Sequence, residues 1–135
     1  MIVVDASIVL KWLMPHEPLA EGALAIRQGH IEGRQPCACP DLLFYEVANA
    51  LITKSRVPLE EAATGLALVL RDELMRYPFE EGDPGFALRL ARECRLSLYD
   101  AAYVALAKRL GCELVTADRQ LSQRTRHLPW VRSLD

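Results

Sequence analysis

The 135-residue sequence contains no apolar run of the ~18–20 residues that a membrane-spanning helix needs. It contains no Cys-x-x-Cys pair. Its four cysteines (Cys37, Cys39, Cys94, Cys112) and three histidines (His16, His30, His127) never approach the paired spacing of a zinc site. The histidines are scattered, so no Ser/His/Asp or Cys/His arrangement for covalent catalysis is visible. The seven glycines are spread singly, which excludes a glycine-rich phosphate loop. There is no surplus of positive charge: 16 Lys and Arg stand against 18 Asp and Glu, a formal net charge of −2. This argues weakly against wholesale polyanion binding, although carboxylates gathered around a metal would lower the net charge by themselves. Met1-Ile2-Val3-Val4-Asp5 has no basic stretch ahead of its apolar run and does not read as a secretory leader. No internal repeat, low-complexity tract or linker interrupts the chain.

What is present is enough for a core. Hydrophobic residues make up 51% of the chain and charged residues 25%, at a length typical of one domain, so residues 1–135 are expected to form a single domain. The cysteines are expected to be reduced, mostly buried thiols of a cytoplasmic protein. Met1–Val4 reads as a short buried strand ending at Asp5-Ala6-Ser7, where Asp or Ser caps a helix. Helices are predicted over Ile8–Met14, Pro18–Gly29, Asp41–Ser55, Leu59–Arg76, Pro84–Arg95, Leu98–Leu110 and Asp118–Arg126. Strands are predicted over Gln35–Cys39, Tyr77–Phe79, Glu113–Thr116 and Trp130–Ser133. Strands separated by helices imply a parallel sheet covered on both faces, with ligands beyond the carboxyl ends of the strands. Asp5 and Asp118 each follow a strand, which makes both candidates for one cleft.

Four acids stand out, each with an ordinary alternative. Asp5 and Asp118 fit helix caps, and Asp100 sits three residues after Ser97 as in a capping box. Glu46 is harder to assign to a solvated face, because its helical neighbours are Leu42, Leu43, Asn49 and Ala50. Asp100 is likewise followed by Tyr103 and Val104. Buried carboxylates are costly unless paired, hydrogen-bonded or metal-bound, so two acids on apolar helix flanks and two at strand ends suggest one electronegative pocket. Such a pocket, without thiols or imidazoles, suits Mg²⁺ or Mn²⁺. Hydrolysis of a phosphodiester is the chemistry such ions serve. Ser7 and Thr116, each two residues from an acid, either orient these carboxylates or cap helices.

The same residues resemble the PIN domain of the VapC toxin type. The resemblance is carried by Val3-Val4-Asp5-Ala6-Ser7 with Lys11-Trp12, and by Pro40-Asp41-Leu42 through Glu46-Val47-Ala48-Asn49-Ala50-Leu51. It continues through Tyr99-Asp100-Ala101-Ala102-Tyr103-Val104-Ala105-Leu106-Ala107 and Leu114-Val115-Thr116-Ala117-Asp118. It spans nearly the whole chain, with four motifs in order. It implies a three-layer α/β/α fold around a five-stranded parallel sheet, and a metal-dependent ribonuclease with Asp5, Glu46, Asp100 and Asp118 as ligands of Mg²⁺ or Mn²⁺. It further implies the toxin role in a type II toxin–antitoxin pair, a homodimer held by helices near the middle of the chain, and a VapB-like antitoxin that blocks the acidic cleft. One departure is Gln120, where some relatives carry a further acid; one firm ion and a weaker second are expected.

An RNA substrate needs positive charge at the rim of an acidic cleft. Arg119, Arg124 and Arg126, with His127 beyond, follow Asp118 directly, and Lys11 lies on the helix leaving Asp5. The ordinary alternative is a solvated helix whose cations suit its C-terminal end. Trp12 is a candidate base-stacking residue or a core residue. The Leu59–Tyr77 segment is apolar on more than one face, so its own domain, a dimer partner or an antitoxin is expected to cover it. Two further functions stand beside the nuclease. One is a non-catalytic PIN-like module that binds nucleic acid or protein. The other is a phosphotransferase with Asp5 as nucleophile, for which Ser7 occupies the position where a second acid is wanted.

Overall fold

The structure is a computed structural model that describes residues 1–80 and 83–135. The first strand, β1 (Ile2–Val4), is buried along its whole length because it lies at the centre of a sheet. It pairs in parallel with β2 (Cys37–Pro40) on one side and with β4 (Glu113–Thr116) on the other. β3 (Met75–Tyr77) extends the sheet beyond β2, and β5 (Val131–Ser133) extends it beyond β4, both parallel. The order is β3-β2-β1-β4-β5. A strand buried on both faces has no polar alternation, which explains the unbroken apolar runs of β1 and β2.

Seven helices connect these strands among the described residues: α1 (Ala6–Leu13), α2 (Ala20–Ile31), α3 (Leu42–Thr53), α4 (Leu59–Arg71), α5 (Asp83–Cys94), α6 (Leu98–Leu110) and α7 (Arg119–Arg124). The architecture is the expected five-stranded parallel α/β sheet flanked by helices. The chain runs outward from β1 through β2 to β3, then returns to lay β4 against the other side of β1. That reversal is a topological switch point, where open α/β sheets bind ligands. Asp5 and Asp118 follow the two strands that flank it. α6 packs over β1, β2 and β4, and its Ala101 to Ala107 run is buried throughout. Small side chains there let the helix lie close to the sheet. All four cysteines are free, three of them buried, and burial pushes the Cys37 and Cys39 thiols up to about 12.

Several expected boundaries move. α1 opens at Ala6 with Asp5 as its cap. α2 covers Ala20–Ile31, so Gly29 is internal rather than terminal, and the left-handed turn falls at Gly33 (φ 72°). α3 covers Leu42–Thr53, β2 shifts to Cys37–Pro40, and β5 begins at Val131. α7 ends at Arg124, two residues short of the predicted Arg126. The largest correction concerns Leu59–Arg76 and Tyr77–Phe79. α4 stops at Arg71, Glu73 turns the chain at φ 53°, and β3 takes Met75–Tyr77. Leu70 to Arg76 is mostly composed of good helix formers. What overrides them is pairing with β2, residue for residue, from Ala38↔Met75 to Pro40↔Tyr77. As an edge strand with Met75 and Arg76 exposed, β3 carries no burial signature in sequence. α4 also buries only Ala62 and Val69 and leaves Leu59, Leu68 and Leu70 exposed, so the chain itself does not cover its second apolar face.

Candidate metal and nucleic-acid site

Asp5 leaves the carboxyl end of β1 and caps α1. Its Oδ1 accepts from the Ile8 N–H at 3.2 Å and from the Ser7 hydroxyl at 2.5 Å, and its Oδ2 accepts from the Thr116 hydroxyl at 2.5 Å. Each hydroxyl is also an acceptor. Ser7 Oγ takes the Ala117 N–H at 2.8 Å, and Thr116 Oγ1 takes the Asp118 N–H at 3.0 Å. The turn after β1 is thereby stitched to the turn after β4. Asp118 caps α7 with Oδ1, which accepts from the Gln120 and Leu121 N–H groups. α3 brings Glu46, whose Oε1 accepts from the Tyr103 hydroxyl at 2.7 Å. α6 brings Asp100, whose backbone N–H is capped by Ser97 Oγ at 3.0 Å. The capping roles of Asp5, Asp118 and Ser97 are therefore real, and they coexist with a gathering of carboxylates.

The electrostatics show that gathering. Burial, foremost, and the nearby Asp118 push the Asp5 carboxyl up to about 6 against the hydrogen bonds from Ser7, Thr116 and Ile8. Burial raises Glu46, and the fields of Asp100 and Asp5 add to it. Burial and then Asp118 raise Asp100. The repulsions run Asp5–Asp118–Asp100–Glu46–Asp5, a closed ring that draws in all four sequence-predicted acids. Among the described residues no three His, Cys, Asp or Glu side chains meet at ligand spacing. The donor set nevertheless fits a hard divalent cation. A carboxylate offers about four lone-pair sites. The protein occupies three of these on Asp5, two on Asp118 and one on Glu46, and the Ser97 side chain bears on Asp100. Oxygen donors therefore remain on every member, with no sulfur or imidazole among them.

The cations divide. Arg124 lies close enough to Asp100 to lower its pKa, and its Nη1 donates to the Arg95 carbonyl at 2.5 Å. Arg119 is largely exposed, 3.8 Å from Asp135, and Arg126 is exposed. Lys11 is mostly covered and pairs with Glu17 at 3.4 Å. Trp12 is not a stacking platform: it is buried, and its indole N–H donates to the Ala23 carbonyl at 2.8 Å. Two residues escape the sequence reading. Lys54 bears on Glu46. It stands eight positions after Glu46, two turns on along one helical stripe, and that spacing is the signal that could have found it. In the sequence Tyr103 stands only as a helical neighbour of Asp100 and a member of the third PIN-like motif. A hydroxyl in an otherwise apolar stretch of helix was the clue to a buried partner. A groove of about 1160 Å³ opens beside the site, from Ser7 and Ala117 past Lys11, Lys54, Val57 and Gly65.

Residues 2–126 match the family described as the PIN domain. The chain is 35% identical over 129 residues to a ribonuclease named VapC3 from Pyrobaculum aerophilum, covering 91% of this chain and 93% of that one. Its fold is similar to the crystal structure of PAE2754 from the same organism, at a TM-score of 0.70 and 28% identity over 98% of this chain and 83% of the other. It is also similar to a chain in the crystal structure of VapBC2 from Rickettsia felis bound to a DNA fragment from its promoter. There the TM-score is 0.73 at 16% identity, with both chains covered in full, and the likeness is one of fold.

Proposed function

From a chain that belongs to the PIN-domain family, we propose a metal-dependent endoribonuclease that is the toxin of a type II toxin–antitoxin pair. Asp5, Glu46, Asp100 and Asp118 are the metal-binding acids, and Mg²⁺ or Mn²⁺ is the cofactor. The observation that carries this reading is the ring of four mutually repelling carboxylates at the switch point of the sheet. A divalent ion held there supplies activation of water, neutralisation of the phosphate and stabilisation of the leaving oxygen. The protein's own share is positioning. Ser7 and Thr116 hold both oxygens of Asp5, and through the Ala117 and Asp118 amides they fix the second acidic turn relative to the first. The extra carboxylate oxygens keep a preorganised negative pocket that a cation relieves.

Arg124 and Lys54, the two cations beside the acids, hold the RNA backbone, with Lys11, Arg119 and Arg126 further along its path. The test uses a catalytically inactive variant, so that binding is read without cleavage. Arg124→Ala and Lys54→Ala should each flatten the dependence of log affinity on log salt for single-stranded RNA by about 0.7. An unchanged slope removes that residue from the phosphate contacts.

A VapB-like antitoxin is the partner. Support for it comes from the VapC naming of the curated relative and from the groove running directly into Ser7. Exposed Tyr45, Ile52 and Leu59 on α3 and α4 support a homodimer built on these mid-chain helices. Action in the cytoplasm, by one domain spanning residues 1–135, belongs to the same reading. The deciding experiment is cleavage of an end-labelled RNA by the purified chain. EDTA should stop it and added Mg²⁺ or Mn²⁺ should restore it. Undiminished cleavage in chelator overturns the metal requirement.

A further inference from the structure

Tyr103 has the largest fully buried side chain in the protein, at 1% exposure. It lies one helical turn beyond Asp100, so α6 presents the two on the same side. Its neighbours on the helix are Ala101, Ala102, Val104, Ala105, Leu106 and Ala107, all buried, and a phenylalanine would complete that apolar surface. A buried hydroxyl without a partner is unfavourable, and among the described residues this one has a single partner: the Glu46 carboxylate on α3, 2.7 Å away and 57 residues distant in sequence. The contact joins the two helices that supply Glu46 and Asp100. We infer that Tyr103 is a positioning residue for the metal site: its hydroxyl holds Glu46 Oε1, fixes the rotamer of that carboxylate, and leaves Oε2 for the cation. The inference rests on the proposal that the four acids bind metal.

The geometry makes the role specific. Glu46 has three rotatable side-chain bonds, and it sits where the fields of Asp5 and Asp100 drive it away from the ring. A tether from the core side opposes that drive before any cation arrives. Where the carboxylate is ionised, the bond is charge-assisted and directional. Ser7 and Thr116 do the same for Asp5. On this reading Asp5 and Glu46 each have a hydroxyl anchor from another element.

The test is Mn²⁺ binding by the RNA-free protein, measured by calorimetric titration for wild type, Tyr103→Phe, Glu46→Gln and the double variant. Tyr103→Phe is expected to weaken Mn²⁺ affinity about 10- to 100-fold, the usual consequence of losing a ligand's hydrogen-bond partner. It is expected to raise the metal concentration for half-maximal cleavage in proportion, while the rate at saturating metal stays near wild type. In the Glu46→Gln background the same change should add little. Wild-type affinity in Tyr103→Phe overturns the role. So does an equal loss on top of Glu46→Gln, which would show that Tyr103 does not act through Glu46. The shift in melting temperature on adding Mn²⁺ gives a second readout, since a variant that is merely less stable still gains the wild-type increment and thereby counts against the role. Failure of the wild type itself to bind Mn²⁺ overturns the metal reading beneath it, and is distinguishable because all four proteins then titrate alike.

Discussion

Asp100→Asn is expected to lower the cleavage rate by roughly 10²–10³-fold or more, the scale of loss when one preorganised electrostatic group is removed from a transition-state site. Its melting temperature should be unchanged or slightly higher. Asp100 suits this experiment better than Asp5 because the Ser97 hydroxyl that bears on its carboxylate can bond an amide oxygen equally well. Asparagine replaces it without disturbing the Ser97 cap, which uses the backbone N–H. Asp5→Asn should be equally inactive but is harder to interpret. Its new amide group would meet Ser7, Thr116 and the Ile8 N–H, all of which donate to the native carboxylate. Cleavage of an end-labelled RNA, with thermal denaturation of the same preparation, decides the matter. Activity within tenfold of wild type would remove Asp100 from the metal ligands and leave its placement beside Asp118 without a catalytic explanation.

In chelator, the protein should become more stable as the pH is lowered from about 7.5 towards 5. The sign follows from Asp5, whose carboxyl rises from 3.8 to about 6 on folding. The folded chain keeps that proton at pH values where the unfolded chain has lost it. The resulting stability is fully present below about 4 and is lost as the pH rises through 6. A rise of that size corresponds to roughly 3 kcal/mol, which is several degrees in melting temperature for a chain of this length. Glu46 and Asp100 are raised too and act in the same direction. The informative quantity is therefore the difference between wild type and Asp5→Asn. The wild-type curve should be steeper between pH 5 and 7, and near neutral pH the variant should be the more stable of the two. Parallel curves would mean that Asp5 is not held in a dry, negative pocket. Added Mg²⁺ or Mn²⁺ should flatten the wild-type dependence, since a bound cation relieves the charge that the proton otherwise neutralises.

The candidate acids stand out in the sequence for two reasons. Glu46 and Asp100 have apolar neighbours on their helices, and Asp5 and Asp118 follow short apolar strands. Periodicity also located β1, β4 and α6 to within a residue or two, since buried strands and an alanine-rich helix leave strong patterns. β3 was not legible, because an exposed edge strand is defined by its neighbour β2 rather than by its own residues. Trp12 resolved to the core through a single hydrogen bond to Ala23, which lies on a helix whose relation to α1 no spacing reveals. The Tyr103–Glu46 bond was beyond reach for the same reason. Its meaning depends on two helices crossing, and a sequence shows only what each helix carries.

The middle of the sheet is built from the two ends of the chain. Thr116 reaches back across 111 residues to grip Asp5. A ribosome therefore releases the chain through Asp118 before the second acidic turn can close against the first. Until then Asp5 has a strand but no Thr116 anchor, Asp118 does not exist, and the pocket cannot concentrate its charge. Long-range closure of this kind is slow relative to helix formation. For a protein that attacks RNA, it means that the four acids come together only after Asp118 has emerged.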